Sequence, residues 1–456
     1  MSTIAPQPFS PQSIQLPHID TTRWPDLVRH PSGLKRRVHA RVADRLFRQV
    51  VQRLAVRVEY PDGAIRGGAA DVPGTPSMVL HRPDAFLARL GSAGLIGFGE
   101  SYMAGDWSAS DLGALLAVFA ERMGTLVPEP LQKLRAVYVA RHPRHERNTT
   151  ENTRSNISRH YDLSNALFER FLDPTMSYSS ALFDTPLSVA ASLAGEQVVV
   201  AQAPAHAPEW AGFAAAQQRK IDRLLDLAGV GAGSRVLEIG TGWGELAVRA
   251  ARRGAAVRTV TLSTEQQSLA RERIAAAGFS AQVTVDLLDY RAVEGEYDAI
   301  VSVEMIEAVG HEYWQTYFET LDALLAPGGK VAIQAITMPH DRMLATKGTY
   351  TWVHKYIFPG GFLPSTEAIQ DITRRHTSLR VAGRLSMGQH YAETLRLWDE
   401  RFAGHTEEID GLGFDAVFRR MWHFYLEYSR AGFLSGYLDV QQILLEREDH
   451  RAGVLG

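Results

Sequence analysis

Two carboxylates, Glu304 and Glu307, stand three residues apart in the otherwise apolar stretch VSVEMIEAVG, Val301 to Gly310. Charged side chains are seldom buried unless they are paired or put to use. The run before them, YDAIVSVE, reads as a buried strand, which puts Glu304 at its end and Glu307 in the segment that follows. A second stretch, RVLEIGTGWGELAVRAARRG, reads as strand, turn and helix, with Gly240, Gly242 and Gly244 in the turn. Glycines there let a main chain approach a ligand at the carboxyl end of a strand, where open α/β sheets bind their ligands.

The spacing of that turn discriminates between nucleotides. A dinucleotide site needs G-x-G-x-x-G and an acid at the end of the next strand. Here the spacing is G-x-G-x-G, and the next strand ends VTLS, with Thr261 and Ser263 but no carboxylate. Nicotinamide dinucleotide is therefore disfavoured. An acid does precede the turn, Glu238, and another, Asp289, ends the third strand, followed by Tyr290. Glu238 would orient the cationic amino-acid end of S-adenosylmethionine, and Asp289 would accept from the adenine amine. The pattern E-x-G-x-G-x-G is that of S-adenosylmethionine-dependent methyltransferases.

The elements that must position these residues follow from periodicity. RVLEIG, VRTVTLS, VTVDLLD, YDAIVSVE and GGKVAIQAI are five strands, the first four separated by helical segments, which predicts a doubly wound, mostly parallel sheet. Upstream, AVRVEYPDGAIRGG reads as a hairpin about an Asp-Gly turn, flanked by the amphipathic helices RVADRLFRQVVQRL and LGALLAVFAERM. The expected layout is a disordered tail over residues 1–19, a small α+β domain over 20–135 and a basic linker over 136–154. The catalytic domain spans 155–450, with a mobile insertion at 184–216 that lacks a clear element.

Composition narrows the classes. The chain has 456 residues with 45% hydrophobic and 22% charged content, enough for a full core in more than one domain. A formal net charge of -3 leaves no electrostatic footprint for nucleic acid. Cysteine is absent, which removes disulfides, thiolate nucleophiles and cysteine–zinc sites. No run of about 18 apolar residues is present, and the N-terminus lacks a basic start and apolar core, so a cytoplasmic protein is expected. His160, His311, His340, His354 and His390 show no metal-ligand spacing. No G-x-S-x-G elbow argues for a hydrolase.

Longer motifs occur in order: HYDLSNALFERFLDPTMSYSSALF, LEIGTGWGE, VTLSTEQQ, VEMIEAVGHEYW, IFPGGFLPS and GQHYAETLRLW. Together they resemble the cyclopropane-fatty-acyl-phospholipid synthase family, across about Ser155 to Glu448. HRPDAFLARLGSAGLIGFGESYMAGDWSASDL resembles the small N-terminal domain of its phospholipid-acting members. AIQAITMPHDRMLATKGTYTWVHKYIFPGG is most similar to the actinobacterial branch that forms the 10-methylene-stearoyl precursor of tuberculostearic acid.

The resemblance implies a Rossmann-like class I methyltransferase fold and a set of roles. Tyr178 and the glycine turn would contact the cofactor, with Thr261, Leu262 and Gln266 near its ribose and Asp289 and Tyr290 near adenine. A bicarbonate ion would take the proton released by the reaction. Its cage would be Glu307, Tyr391, backbone groups of Ser180 and Ile336, with Gln334 alongside, and Tyr161 would lie near the sulfonium. On this reading Glu307 faces the reacting methyl and Glu304 supports it. Ser180 replaces the family's usual cysteine, and Gln334 the histidine of the mycolic acid enzymes. The implied partners are a membrane phospholipid met at the inner face of the membrane, a separate flavin- or nicotinamide-dependent reductase, and a second copy of the chain. The MIEAVG and glutamine variants leave cyclopropane formation open as an alternative product. A lipid-binding protein that has lost catalysis is the reading from a different class.

Overall fold

The computed structural model describes residues 16–28, 34–122, 164–192 and 195–447. Tyr161, nearly all of the expected tail and the basic linker lie outside these residues. The described residues fall into two compact units, divided between Asp111 and Leu112, with residues 414–424 counted in the first.

In the first unit the Asp-Gly hairpin is present: β1 (Arg57–Glu59) runs antiparallel to β2 (Ile65–Arg66) across Gly63, whose φ is 81°. β1 also pairs in parallel with β3 (Ser77–Leu80), and β3 pairs antiparallel with β4 (Trp107–Ala109). The helices α1 (Leu34–Val51) and α2 (Pro83–Met103) pack on each other, with Phe47 and Phe86 edge to face at 4.9 Å. Beneath them Arg89 donates through Nε to the fully buried Asp106 at 2.9 Å and through Nη2 to the Leu27 carbonyl at 2.7 Å.

The second unit begins with α3 (Leu112–Glu121), which the sequence pattern had assigned to the N-terminal domain. The predicted strands are all present: β7 (Arg235–Ile239), β8 (Ala256–Thr261), β9 (Val283–Leu287), β10 (Tyr297–Val303) and β11 (Leu325–Thr337). They pair in parallel in the order β9-β8-β7-β10-β11. Alternate residues feed two cores. Leu237, Ile239 and Ile300 face one layer, while Val236, Ala299 and Val301 face the other. Cover on both faces is why these strands read as continuous apolar runs.

The sheet extends beyond the predicted strands. β13 (Asp439–Arg447) inserts antiparallel between β11 and β12 (Leu379–Ser386). The stretch expected to lack a clear element forms a hairpin, β5 (Leu187–Ala190) and β6 (Gln197–Ala201), that pairs with β12 at the sheet edge. Its β-branched run at Val198–Val200 suits that position.

The strand order reverses at β7. β8 lies on one side of it and β10 on the other, which makes the carboxyl ends of β7 and β10 a topological switch point where a crevice opens. The glycine turn follows β7 and the two glutamates follow β10. Removing the buried carboxylate in the first unit leaves Arg89 an unpaired buried cation, so Asp106→Ala should destabilise that unit by about 3–5 kcal/mol. A lowered urea midpoint for its unfolding transition is the measurement.

Candidate active site

The glycine turn uses its glycines for different purposes. Gly240 has φ 96°, and a Cβ on it would lie 2.6 Å from Met305 Cγ. Gly242 has φ 50° and open space where its side chain would be, so it leaves the main chain bare toward the crevice. Gly244 caps α6 (Glu245–Arg252) with φ 89°, and a Cβ on it would stand 3.3 Å from Ala270 Cβ of α7 (Thr264–Ala276). It serves helix packing and does not line the crevice.

The resulting cleft encloses about 1060 Å³ together with its mouth. Tyr178, Glu238, Gly240 and Gly242 line one side; Thr261, Leu262, Gln266 and Tyr290 line another. Thr261 Oγ1 donates to Gln266 Oε1 at 3.0 Å, fixing the amide at the head of α7. Tyr178 stands against Phe168 of α4 (Asn165–Phe171) at 5.2 Å and Trp398 of α8 (Gly388–Gly404) at 5.2 Å, and its hydroxyl meets Tyr425 at 2.8 Å. Asp289 departs from expectation. It does not line the cleft, and its carboxylate is clamped by Arg291, with Nε at 2.8 Å and Nη2 at 2.6 Å.

Glu238 lies on the cleft floor, 3% exposed, with Oε2 lacking any hydrogen-bond partner. Burial pushes its carboxyl up to about 8. A buried carboxyl in that condition fits a ligand that brings a cation to it, as the amino-acid end of S-adenosylmethionine would.

The second cluster depends on a difference in strand length. β10 ends at Val303, opposite Gln334, whereas β11 runs on to Thr337. The main chain of β11 beyond that point has lost its neighbour on one side. Glu304 N takes the Gln334 carbonyl at 2.7 Å, and the Glu307 carboxylate takes the Ile336 amide at 2.5 Å. The Gln334 carbonyl and the Ile336 amide of β11 thus find partners in the segment that leaves β10.

Here the structure corrects the expected roles of the two glutamates. Tyr391, the Ser180 amide and Gln334, all expected around an ion held by Glu307, converge on Glu304. Its Oε1 accepts from Ser180 N at 3.0 Å and Gln334 Nε2 at 2.9 Å, and its Oε2 accepts from Tyr391 Oη at 2.7 Å. Only Ile336 remains with Glu307. Glu304 lines the cleft and Glu307 does not. The reason is backbone geometry: Glu304 has φ 51°, in the left-handed region, which turns its side chain back toward the loop carrying Ser180.

The electrostatics divide the pair. Burial raises both carboxyls. At Glu304 the hydrogen bonds from Tyr391, Ser180 and Gln334, and then the charge of Lys220, pull back toward the ionised form. Glu307 has little compensation, and burial with the neighbouring charge of Glu304 pushes it up to about 8. Burial and then Glu304 hold the Tyr391 phenol well above its usual range, so it stays a donor.

Lys220 was not picked out in the sequence. It is 1% exposed on α5 (Phe213–Leu227), donates to Ser179 Oγ at 2.6 Å, and burial lowers it to about 8. The signal was present. Buried positions of α5 recur at Phe213, Ala216, Gln217, Ile221, Leu224 and Leu225, and Lys220 falls on that stripe.

The bicarbonate cage can now be tested against its residues. Glu304 carries a planar pair of oxygens where the ion was expected and holds Ser180, Gln334 and Tyr391, while Glu307 holds Ile336. No expected donor is left over, and an added anion would face two neighbouring, half-buried carboxyls. The arrangement does not fit a separate bicarbonate.

A mostly parallel sheet that reverses order beside a glycine turn is a framework for binding a nucleotide-like ligand at the carboxyl ends of its strands. The chain belongs to the mycolic acid cyclopropane synthetase family, whose pattern matches residues 148–443. It is 55% identical to the tuberculostearic acid methyltransferase UfaA1 of Mycobacterium tuberculosis, over 94% of this chain and 96% of that one. It is 30% identical to the cyclopropane-fatty-acyl-phospholipid synthase of Escherichia coli K12, over 84% of this chain and 91% of that protein. Among solved structures it is similar to the mycolic acid cyclopropane synthase CmaA1 complexed with SAH and CTAB, at 27% identity and a TM-score of 0.54. That match covers 67% of this chain and 99% of the other. This chain is an S-adenosylmethionine-dependent methyltransferase that acts on lipid acyl chains.

The raised carboxyl of Glu238 gives a pH signature. Its folded value, about 8, exceeds the ordinary 4.5. The folded state therefore keeps a proton that the unfolded chain releases, and stability falls as pH climbs from about 4.5 to about 8. Thermal denaturation from pH 5 to 9 should show that decline. Glu238→Gln should flatten it in part, Glu307 supplying the remainder. The same variant should weaken S-adenosylhomocysteine binding by roughly tenfold or more, as loss of a charged hydrogen bond of about 1.5–3 kcal/mol implies.

Proposed function

We propose that this methyltransferase adds the methyl group of S-adenosylmethionine to the cis double bond of an oleoyl-type chain on a membrane phospholipid, giving a 10-methylene branch. The observation that carries the reading is the 55% identity to a tuberculostearic acid methyltransferase over 94% of the chain. A 10-methylene chain is a substrate for reduction, so a separate flavin- or nicotinamide-dependent reductase would act next. Among the described residues no helix is long and apolar enough to cross a membrane. On this reading the protein reaches its lipid from the membrane surface.

The chemistry sets demands that the site is equipped to meet. An isolated alkene is a weak nucleophile, and its methylation leaves a carbocation in the chain. Aromatic faces stabilise such a cation by roughly 0.5–2 kcal/mol each. Tyr178 lines the cleft and packs on Trp398, while Tyr391 stacks on Phe433 at 4.6 Å. The cation must then lose a proton. Loss from the added methyl after a hydride shift gives the methylene; loss with ring closure gives cyclopropane.

Cyclopropane formation is the second reading, supported by the likeness to the cyclopropane-fatty-acyl-phospholipid synthase of E. coli. Incubation with dioleoyl phospholipid and S-adenosylmethionine, then mass spectrometry of the released fatty acids before and after mild hydrogenation, separates the two. A product that hydrogenates to a 10-methyl chain is expected. One that resists hydrogenation would mean a ring. Phospholipid binding without consumption of the methyl donor would mean a protein that has lost catalysis.

A further inference from the structure

Glu304 fills the place expected for an ion, holding the Ser180, Gln334 and Tyr391 donors. We propose that Glu304 itself, and not a bound bicarbonate, is the base that takes the proton from the methylated acyl chain. The inference rests on the reading that the chain methylates an acyl double bond, and it holds for a methylene or a ring product.

Position supports it first. Glu304 is the one of the two glutamates that lines the cleft. Its carboxylate has about four lone-pair directions. The amide of Ser180, the amide group of Gln334 and the hydroxyl of Tyr391 occupy three of them. About one is left, and a single site is what one proton requires. The three donors also fix the group, so no side-chain freedom is lost when it acts.

Charge supports it second. Two adjacent carboxyls partly shielded from water separate into one that holds the proton and one that holds the charge. Glu304 has three donors and the nearby Lys220 cation, whereas Glu307 has the Ile336 amide and an unpartnered Oε2. Glu307 is thus the neutral member and Glu304 the ionised one. An efficient base has a proton affinity matched to the working pH, and the upward push of burial on Glu304 moves it in that direction.

Strain supports it third. A side chain in the left-handed region costs about 1–2 kcal/mol. Glu304 keeps that conformation at φ 51°, fastened by its amide on the Gln334 carbonyl. Strain retained at a position glycine would occupy freely is a mark of functional use.

The step balances as follows. The π pair of the alkene forms the bond to the methyl carbon, and the S–CH3 pair stays on sulfur, giving S-adenosylhomocysteine. A neighbouring hydride moves to the cationic carbon when the methylene is made. A C–H bond of the added methyl then breaks, its pair forms the new carbon–carbon bond, and the proton goes to a Glu304 oxygen, from which water later removes it.

The test uses the full chain with dioleoyl phospholipid in buffer freed of carbon dioxide. Wild-type turnover should be the same with and without added bicarbonate. Glu304→Gln should lose roughly 10²–10⁴-fold in kcat, the usual reach of a positioned base, with S-adenosylhomocysteine binding unchanged as the check on folding. Glu304→Gly relaxes the backbone and vacates the three donors, so added bicarbonate should restore part of its turnover. Wild-type activity that disappears on bicarbonate removal and returns on its addition would overturn the proposal. So would a Glu304→Gln protein with near-normal kcat. A wild type that never consumes the methyl donor under any condition would sink the functional reading instead.

Discussion

Two neighbouring carboxyls partly withdrawn from water cannot both be ionised at little cost, and the rest of this site is arranged around that constraint. Glu304 and Glu307 leave the end of β10 three residues apart, and both are half-buried there. The donors are shared unequally. Ser180, Gln334 and Tyr391 serve Glu304, Ile336 serves Glu307, and the buried Lys220 adds its charge on the side of Glu304. Asymmetry of this kind separates the pair into a neutral and an ionised member.

The asymmetry comes from the sheet. β11 outruns β10 and leaves main-chain groups that need partners. The segment after β10 supplies them, and doing so places one glutamate toward the cleft and the other behind it. The same switch point sets the glycine turn of β7 beside β10, so methyl donor and proton acceptor share one crevice. Nearness of the two steps is a consequence of strand order, not of any loop reaching across the molecule.

Much of this was legible in the sequence, and the failures have physical causes. Strands buried on both faces announce themselves as apolar runs, and the glycine turn is a local geometric requirement, so both were readable. β12 and β13 were missed: β13 (DVQQILLER) carries Gln441 and Gln442 in mid-strand, and both are buried. Gln442 pairs with Gln334 and the Lys220 carbonyl, partners that no local pattern reveals. Asp289 seemed free for adenine because its partner lies two residues on, at Arg291, and only the short helical turn between them brings the groups together. Gly244 looked like its two companions, yet its need comes from Ala270 on the next helix.

The exchange of roles between Glu304 and Glu307 has a different cause. From spacing alone, a residue at the end of a strand points along the sheet, and one three positions later begins a helix; nothing in the residue types reverses this. The reversal lies in one dihedral angle, the φ of 51° at Glu304. Local preference argues for glycine there, and the chain holds glutamate against that preference by a hydrogen bond from its own amide and three to its carboxylate. Sequences that specify a fold agree with it at every level except where function demands otherwise. A strained, half-buried, ionisable residue in a reaction cleft breaks the backbone rule and leaves a charge where water is partly excluded. Packing alone would have removed such a residue, because glycine would relieve the strain and leave the sheet intact. Its retention is explained when the carboxylate has work to do in the cleft that no neutral residue can perform.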